Sequence, residues 1–488
     1  EDVERFPELA DAMGLTVKEL HATLRDRMNR EFIYLKRHAN PALVKKVQEL
    51  GIRGVSTQRE YKRYYPAAEV TSHIIGFTNI DDQGQEGLEL AYDDWLSGKT
   101  GKKRVLKDRL NRIVENIESI EPSEPGKELK LSIDRRIQYL AYRELAAAVK
   151  YHRAKGGSLV MLDVRTGEVM AMVGQPSYNP NNRKKLKSHF YRNRAVTDVF
   201  EPGSTMKPFS VVAGLEAGTY QPHTPINTSP GFLKVGDHTV RDMRNYGDID
   251  VTKVITKSSN VGASKIVLSL EPEKYWDVLS RLGFGQQTGS AFPGESSGLL
   301  NPYNTWSDVE MATMSFGYGL SVTPLQLAHA YSVLANGGVL LPVSFLKVEG
   351  SVSGKRVLEE RVTRQVRKML ETVVSTEGTG KRAAIRGYRV IGKTGTVHKS
   401  VRGGYSEDRY LSLFAGIAPA SQPRFAMVVL IDEPGGGDHY GGVVAAPVFS
   451  RVMEGAFRIL NIPPDDLPAI TSPIMANSFQ PDQVKGFD

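Results

Sequence analysis

The chain contains no cysteine. That excludes disulfide staples, thiol nucleophiles and thiolate metal sites, and it fits an oxidising compartment without requiring one. No apolar run approaches the roughly 20 residues needed to cross a bilayer. The longest, Phe425 to Ile431, suits a buried strand. Residue 1 is not Met and no signal-peptide pattern follows, so the chain is taken as trimmed or mature, with its targeting information missing. There is no internal repeat and no metal-ligand constellation. The densest basic run, Arg183-Lys184-Lys185-Leu186-Lys187, lacks the interleaved aromatics of a nucleic-acid surface.

What remains is a chain of 488 residues, 40% hydrophobic and 24% charged, with 46 Gly and 26 Pro. At roughly 100–200 residues per domain, two or three domains are expected, each able to bury a core. The net charge of +8 is taken as an ordinary basic surface. An anionic partner such as phospholipid or a carboxylate-rich polymer is the alternative, and nucleic acid is not expected.

The polar stretch Ile120-Glu121-Pro122-Ser123-Glu124-Pro125-Gly126 has linker composition. It sets the expected division: residues 1–125 as a smaller domain, 126–470 as the main one, and 471–488 as a disordered tail. In the first, residues 7–28 and Leu88 to Leu96 have helical patterning, and Tyr64 to Phe77 is irregular or strand-like. In the second, Ser132 and Asp134 can cap a helix carrying Ile137, Leu140, Ala141, Leu145 and Ala148. Leu159 to Val164 and Glu168 to Val173 flank Arg165-Thr166-Gly167 as a hairpin, and Tyr410 to Ala418 and Arg424 to Asp432 form another. Thr323-Pro324-Leu325-Gln326 starts a helix that ends at Asn336-Gly337-Gly338. Strands at both ends with helices between predict an α+β fold around one antiparallel sheet.

Three strings match nucleophile or phosphate motifs. Gly387 to Thr394 fits the P-loop letter for letter, but Tyr388 to Ile391 is itself strand-like and no helical period follows, so the nucleotide reading is set aside. Gly294-Glu295-Ser296-Ser297-Gly298 fits a nucleophile elbow yet is flanked by Pro293 and Pro302, and is read as a turn. The third, Ser204-Thr205-Met206-Lys207, follows Glu201-Pro202-Gly203 and precedes the apolar run Phe209 to Leu215. Ser204 then falls at a helix N-terminus with Lys207 on the same face, where a neutral lysine can take the serine proton. Lysine is normally protonated, so burial or a second cation must depress its pKa. Lys393 in Lys393-Thr394-Gly395-Thr396 and the segment Ser258-Ser259-Asn260 are the candidates. Each string alone is common, and Lys99-Thr100-Gly101 and Ser177-Tyr178-Asn179 are decoys. The order of the three, at 204, 258 and 393, discriminates. His398 and His439 are read as polar loop residues, since lysine already fills the base role.

In these three motifs the chain resembles the class B penicillin-binding proteins, and within them the division-specific peptidoglycan D,D-transpeptidases. Val199 to Ser204, Lys257 to Gly262, Gly317 to Pro324 and Pro176 to Asn182 carry the likeness, with Tyr65-Pro66, His73, Gly76 and Lys107-Asp108-Arg109 resembling the family's amino-terminal pedestal. The resemblance implies helices on both sides of the sheet, and a pedestal preceded in the family by a cytoplasmic tail, a membrane helix and an Arg-Gly-containing segment. Where the family often carries two aromatics after the Gly-rich loop, this chain has His439-Tyr440.

The resemblance also assigns roles. Ser204 is the expected nucleophile on the D-alanyl-D-alanine carbonyl and Lys207 its general base. Ser258 relays a proton to the departing amine, Asn260 bonds Lys207 and the substrate amide, and Lys393 favours neutral Lys207. Ser259, Thr394, Gly395, Thr396, Tyr410, His439 and Tyr440 are expected at the substrate, with Thr394 and Thr396 holding a carboxylate. The backbone N–H groups of Ser204 and Thr396 form the expected oxyanion hole. No cofactor or metal is implied. The implied partners are peptidoglycan stem peptides, β-lactams and membrane-bound division proteins including a septal glycosyltransferase, at the periplasmic face of the inner membrane. The rival expectations are a D,D-carboxypeptidase or serine β-lactamase, and a non-catalytic β-lactam-binding scaffold.

Overall fold

The computed structural model describes residues 3–25, 30, 32–107, 113–184, 187–401 and 403–466. Residues 26–28, Asp108-Arg109, Lys185-Leu186 and the expected tail 471–488 lie outside them. The chain divides into two compact units. The first comprises residues 1–129, 177–193 and 291–293; the second comprises the rest.

In the first unit the helical pattern of residues 7–28 is two helices, Phe6–Met13 and Val17–Arg25, separated at Gly14. Likewise Leu88 to Leu96 is split at Tyr92 into Gly87–Ala91 and Asp93–Ser97. The start of the expected linker is structured: strand Ile113–Glu121 pairs antiparallel with Lys102–Lys107. The division between the units falls later, after Leu129. Residues 177–193 join this unit through polar contacts. The Tyr65 N–H donates to Asn181 Oδ1 at 3.0 Å, Asn181 Nδ2 donates to the Tyr65 carbonyl at 2.9 Å, and Tyr178 Oη donates to the Ser72 carbonyl at 3.0 Å.

The second unit is built on a five-stranded antiparallel sheet. Its strands are β1 (Gly156–Asp163), β2 (Val169–Gln175), β3 (Ile391–Val401), β4 (Gly404–Ala418) and β5 (Phe425–Asp432), in the order β3-β4-β5-β1-β2. The two hairpins expected from the sequence are β1–β2 and β4–β5, and they meet along β5 and β1, with Val428 opposite Val160. Alternate residues enter different cores. Met427, Val429 and Ile431 join a cluster with helices α1 (Arg135–Tyr151) and α6 (Ala446–Ile459). Ala426, Val428 and Leu430 are also buried. Both faces being covered, β5 needs no polar alternation, which is why Phe425 to Ile431 is one apolar run.

Four further helices matter for the site: α2 (Lys207–Glu216), α3 (Val251–Lys257), α4 (Asn260–Leu268) and α5 (Pro324–Ala335). Every residue of α5 is buried, and it carries the expected capping box between Thr323 and Gln326. At α1 only Asp134 caps, accepting from the Arg136 and Ile137 N–H groups. The Ser132 hydroxyl instead donates to the Val169 and Ser344 carbonyls. The P-loop-like string runs into strand β3 with no helix after it, and Gly294 to Gly298 is turn and loop.

Candidate active site

Ser204 lies in a single 3-10 turn, Gly203–Met206, which passes directly into α2 at Lys207. Pro208 fits there because a helix's first N–H groups have no intrahelical partner to lose. The turn is gripped from behind by backbone. Gly203 has φ +55°, and its N–H donates to the Gly317 carbonyl at 3.0 Å. A Cβ on Gly317 would stand 2.2 Å from the Gly203 carbonyl oxygen. The Gly317-Tyr318-Gly319 string thus allows two chains to touch backbone to backbone beneath the nucleophile. Tyr331 on α5 donates to the Thr205 carbonyl at 2.9 Å.

Ser258 stands at the corner between α3 and α4. It is in the left-handed region, φ 60° and ψ 42°, and is the C-cap of α3. Ser259 is the N-cap of α4, its Oγ accepting from the Gly262 N–H at 2.9 Å. The sharp corner turns both the carbonyl and the hydroxyl of Ser258 toward Lys207.

Lys207 is wholly buried, and its Nζ meets four oxygens: Ser204 Oγ at 3.0 Å, Ser258 O at 2.6 Å, Ser258 Oγ at 3.0 Å and Asn260 Oδ1 at 2.7 Å. A neutral amine has two N–H donors and one lone pair. The Ser258 carbonyl and the Asn260 amide oxygen can only accept, so they take the two donors. The lone pair is left for a hydroxyl, and Ser204 can supply one. Asn260 is held in this orientation because its Nδ2 donates to the Arg241 carbonyl at 2.9 Å.

Lys393, on edge strand β3, is also wholly buried. Its Nζ donates to Ser258 Oγ at 2.9 Å and to the Thr394 carbonyl at 3.0 Å. The Ser258 hydroxyl therefore joins the two amines. Burial drives the Lys207 pKa well below its ordinary value; the neighbouring Lys393 cation lowers it further, and Asp242 opposes both. Burial alone brings Lys393 down to about 7. The three motifs that the sequence ordered at 204, 258 and 393 are one constellation.

Gly395 lets β3 lie against the nucleophile turn, since a Cβ there would be 3.1 Å from Thr205 Cγ2 and 3.3 Å from the Pro202 carbonyl oxygen. The hydroxyls of Thr394 and Thr379 share a hydrogen bond of 2.8 Å, and Thr396 Oγ1 accepts from the Gly441 N–H at 3.0 Å. Tyr410 on β4 stacks on His439 with centroids 4.0 Å apart and planes at 15°. Tyr440 follows His439 at 4.5 Å, and His398 closes on Tyr410 at 4.6 Å. The aromatic wall is thus a row of four rings, stacked only at Tyr410–His439 and tilted at its two ends, and it includes His398, which lies on β3 and not in a loop. Its Nδ1 lies 2.8 Å from the Ser406 carbonyl oxygen.

Ser259 departs from expectation. It is fully buried, and its hydroxyl donates to Asp242 Oδ2 at 2.6 Å while accepting from Gly262, so the side chain is committed to the helix cap and not to a substrate. Asp242, Gly317, Thr379 and His398 were not legible as site residues. Only Gly317 lies in a string the sequence had singled out.

Among the described residues, no His/Cys/Asp/Glu group could hold a metal ion, and no helix is long and apolar enough to cross a membrane. Residues 157–454 match the family of the penicillin-binding protein transpeptidase domain, and residues 2–131 match the penicillin-binding protein dimerisation domain. The chain is 45% identical to the peptidoglycan D,D-transpeptidase FtsI of Escherichia coli over 464 residues, which cover 95% of this chain and 78% of that one. It is 44% identical to the probable peptidoglycan D,D-transpeptidase PenA of Neisseria meningitidis serogroup A, covering 95% of this chain and 79% of that one. Among solved structures, the transpeptidase domain of penicillin-binding protein 3 from Burkholderia pseudomallei aligns with a TM-score of 0.65 and 43% identity, over 70% of this chain and all of that one. With the family matched over most of its length, and its lysines and hydroxyls gathered in one cleft, the chain belongs to the penicillin-binding proteins that carry a transpeptidase domain.

Proposed function

We propose that the chain is a serine D,D-transpeptidase that crosslinks peptidoglycan stem peptides in septal wall synthesis through an acyl-enzyme at Ser204, and that β-lactams inhibit it by the same acylation. The observation that carries this is the Lys207 amine, buried and surrounded so that its lone pair is directed to a hydroxyl.

Ser204 Oγ attacks the carbonyl between the two terminal D-alanines as its proton passes to Lys207 Nζ. The oxyanion is held by the N–H groups of Ser204 and Thr396; losing one such donor typically costs about 10²–10³ in rate. Collapse breaks the C–N bond. The proton leaves Lys207 through the Ser258 hydroxyl to the departing D-alanine amine, and the peptide stays on Ser204 as an ester. An amine from a neighbouring stem peptide then attacks the ester and gives up a proton along the same path, and Ser204 is released. Thr394 and Thr396 hold the substrate carboxylate, Gly395 keeps β3 close, and Tyr410, His439 and Tyr440 wall the cleft. The family likeness supports division proteins as partners, a septal glycosyltransferase among them, at the periplasmic face of the inner membrane.

The test is labelling with a fluorescent penicillin followed by peptide mass spectrometry. The expected result is one acylated peptide containing Ser204, and no label on Ser204→Ala. Equal labelling of that variant removes Ser204 from the nucleophile role. Rapid turnover of the penicillin favours the β-lactamase or carboxypeptidase reading. An acylated protein that never joins donor and acceptor peptides, even with its partners present, favours the scaffold.

A further inference from the structure

Beyond the groups that touch Lys207, one carboxylate has no part in the mechanism above. Asp242 follows the strand His238–Arg241, and its own N–H is tied to the Gly231 carbonyl at 2.9 Å. Its Oδ1 accepts from the backbone N–H groups of Asn260 at 2.5 Å and Val261 at 3.0 Å, and its Oδ2 accepts from Ser259 Oγ at 2.6 Å. The residue before it, Arg241, receives Asn260 Nδ2 on its carbonyl. The first turn of α4 is therefore bound at four points to a two-residue segment from a different part of the chain.

We infer that Asp242 is a positioning residue for acyl transfer: by binding Ser259, Asn260 and Val261 together, it sets the Ser258 corner and the Asn260 amide at hydrogen-bonding distance from Lys207. Three features support this. First, Ser258 is a non-glycine residue held with positive φ, a conformation that persists only where surrounding contacts impose it. Second, the contacts hold the three residues that directly follow Ser258, so a shift of α4 moves both acceptors that occupy the Lys207 donors. Third, the carboxylate places a negative charge near the lysine pair.

The charged groups facing Lys207 are Lys393 from β3, which favours its neutral form, and Asp242, which favours its charged form. Asp242 is flanked by Arg241 and Arg244, and it also acts on Tyr246, whose pKa is raised first by burial and then by this carboxylate. Asp242 thus carries two separable effects: its bonds set geometry, and its charge favours the protonated form of Lys207 against burial and Lys393.

This inference rests on the acyl-enzyme reading, so the parent protein and Ser204→Ala are the controls. A parent that fails to label with fluorescent penicillin overturns that reading and this one with it. A parent that labels leaves the fate of Asp242 to its variants. The measurement is the acylation rate against pH and penicillin concentration, with thermal denaturation alongside. Asp242→Asn is expected to lower the plateau rate by about 10²-fold, as a misplacement near 1 Å does, with little change in the half-saturating concentration. It is also expected to move the acid limb to lower pH. Ser259→Ala removes one of the bonds to Asp242 and the cap to Gly262 but no charge, and should slow acylation less and leave the acid limb where it is. A parental rate for Asp242→Asn, or a slower rate with the acid limb unmoved, overturns the inference. If Asp242→Asn does not fold, Asp242→Glu replaces it, keeping the charge on a longer arm: slower acylation with an unmoved acid limb supports the inference, and a parental rate overturns it.

Discussion

Ser258 Oγ stands 3.0 Å from the Lys207 nitrogen and 2.9 Å from that of Lys393, so two amines with depressed pKa values share one hydroxyl. Close to neutrality the charge on Lys393 works against protonation of Lys207. Replacing Lys393 by Met removes that repulsion, and the Lys207 pKa should rise. The acid limb of the acylation profile is then expected to shift to higher pH, opposite to the shift expected for Asp242→Asn. Acylation rates from pH 5 to 9 check this, and a limb that stays in place or moves to lower pH refutes it. Much at this scale was legible in the sequence. Ser204 and Lys207 are three apart at a helix start, where spacing decides proximity. Ser258, Asn260 and Lys393 followed from the order of their motifs. Ser259 was misjudged because neighbours in a motif need not share a direction: its hydroxyl points into the cap while that of Ser258 points to the cleft. Asp242 and Thr379 were invisible because each acts through contacts between distant segments.

At the scale of elements, the corner between α3 and α4 depends on the two helices approaching closely. A Cβ on Gly262 would lie 2.5 Å from Val254 Cγ2 and 3.1 Å from Ser259 Oγ. Gly262→Ala should therefore cost about 1–3 kcal/mol from overpacking, read as a lower midpoint in chemical denaturation, and should also slow acylation because the cap is displaced. Unchanged stability would show that the helices can part freely. Gly203→Ala faces Val397 Cγ2 at 2.3 Å and needs positive φ as well, so it should reduce acylation more than it reduces the stability of the unit. The hairpins and the Thr323 capping box were readable because their signals are local: alternating or continuous apolar runs around a turn, and a cap with its partner three residues on. The linker reading of residues 120–126 went astray at its start. Charged side chains there pair across strands, with Lys102 to Glu121 at 3.4 Å and Arg104 to Glu118 at 3.1 Å, so polar composition concealed a hairpin.

For the whole molecule, the two buried lysines impose a pH dependence on stability. Lys393 titrates at about 7 in the folded protein against 10.5 when unfolded, so between these values the unfolded chain binds more protons. Stability from this group rises with pH through that window and is least below about 7. The slope is at most about 1.4 kcal/mol per pH unit for one proton. Relative to Lys393→Met, the parent should gain unfolding free energy from pH 7 to 9, where tyrosines are still protonated. Denaturant titrations at several pH values check this, and parallel curves for the two proteins would refute it. The α+β plan was legible at this scale because strand signals lie at both ends of the second domain. The return of residues 177–193 to the first unit was not, since it rests on amide contacts such as Asn181 with Tyr65 and on the packing of Tyr178 and Tyr191 against Phe77, which leave no periodic trace.

The order of the sheet has a consequence for biosynthesis. Strands β1 and β2 leave the ribosome early, yet their neighbour β5 and the lysine-bearing edge β3 are encoded more than 200 residues later. A nascent chain extended to residue 390 has already synthesised its serine and first lysine but has nothing to shield the flank of β1. Capacity to react with penicillin should therefore appear abruptly, only when the last strands emerge, and any translation product stalled before β5 should be inert and dependent on holding factors.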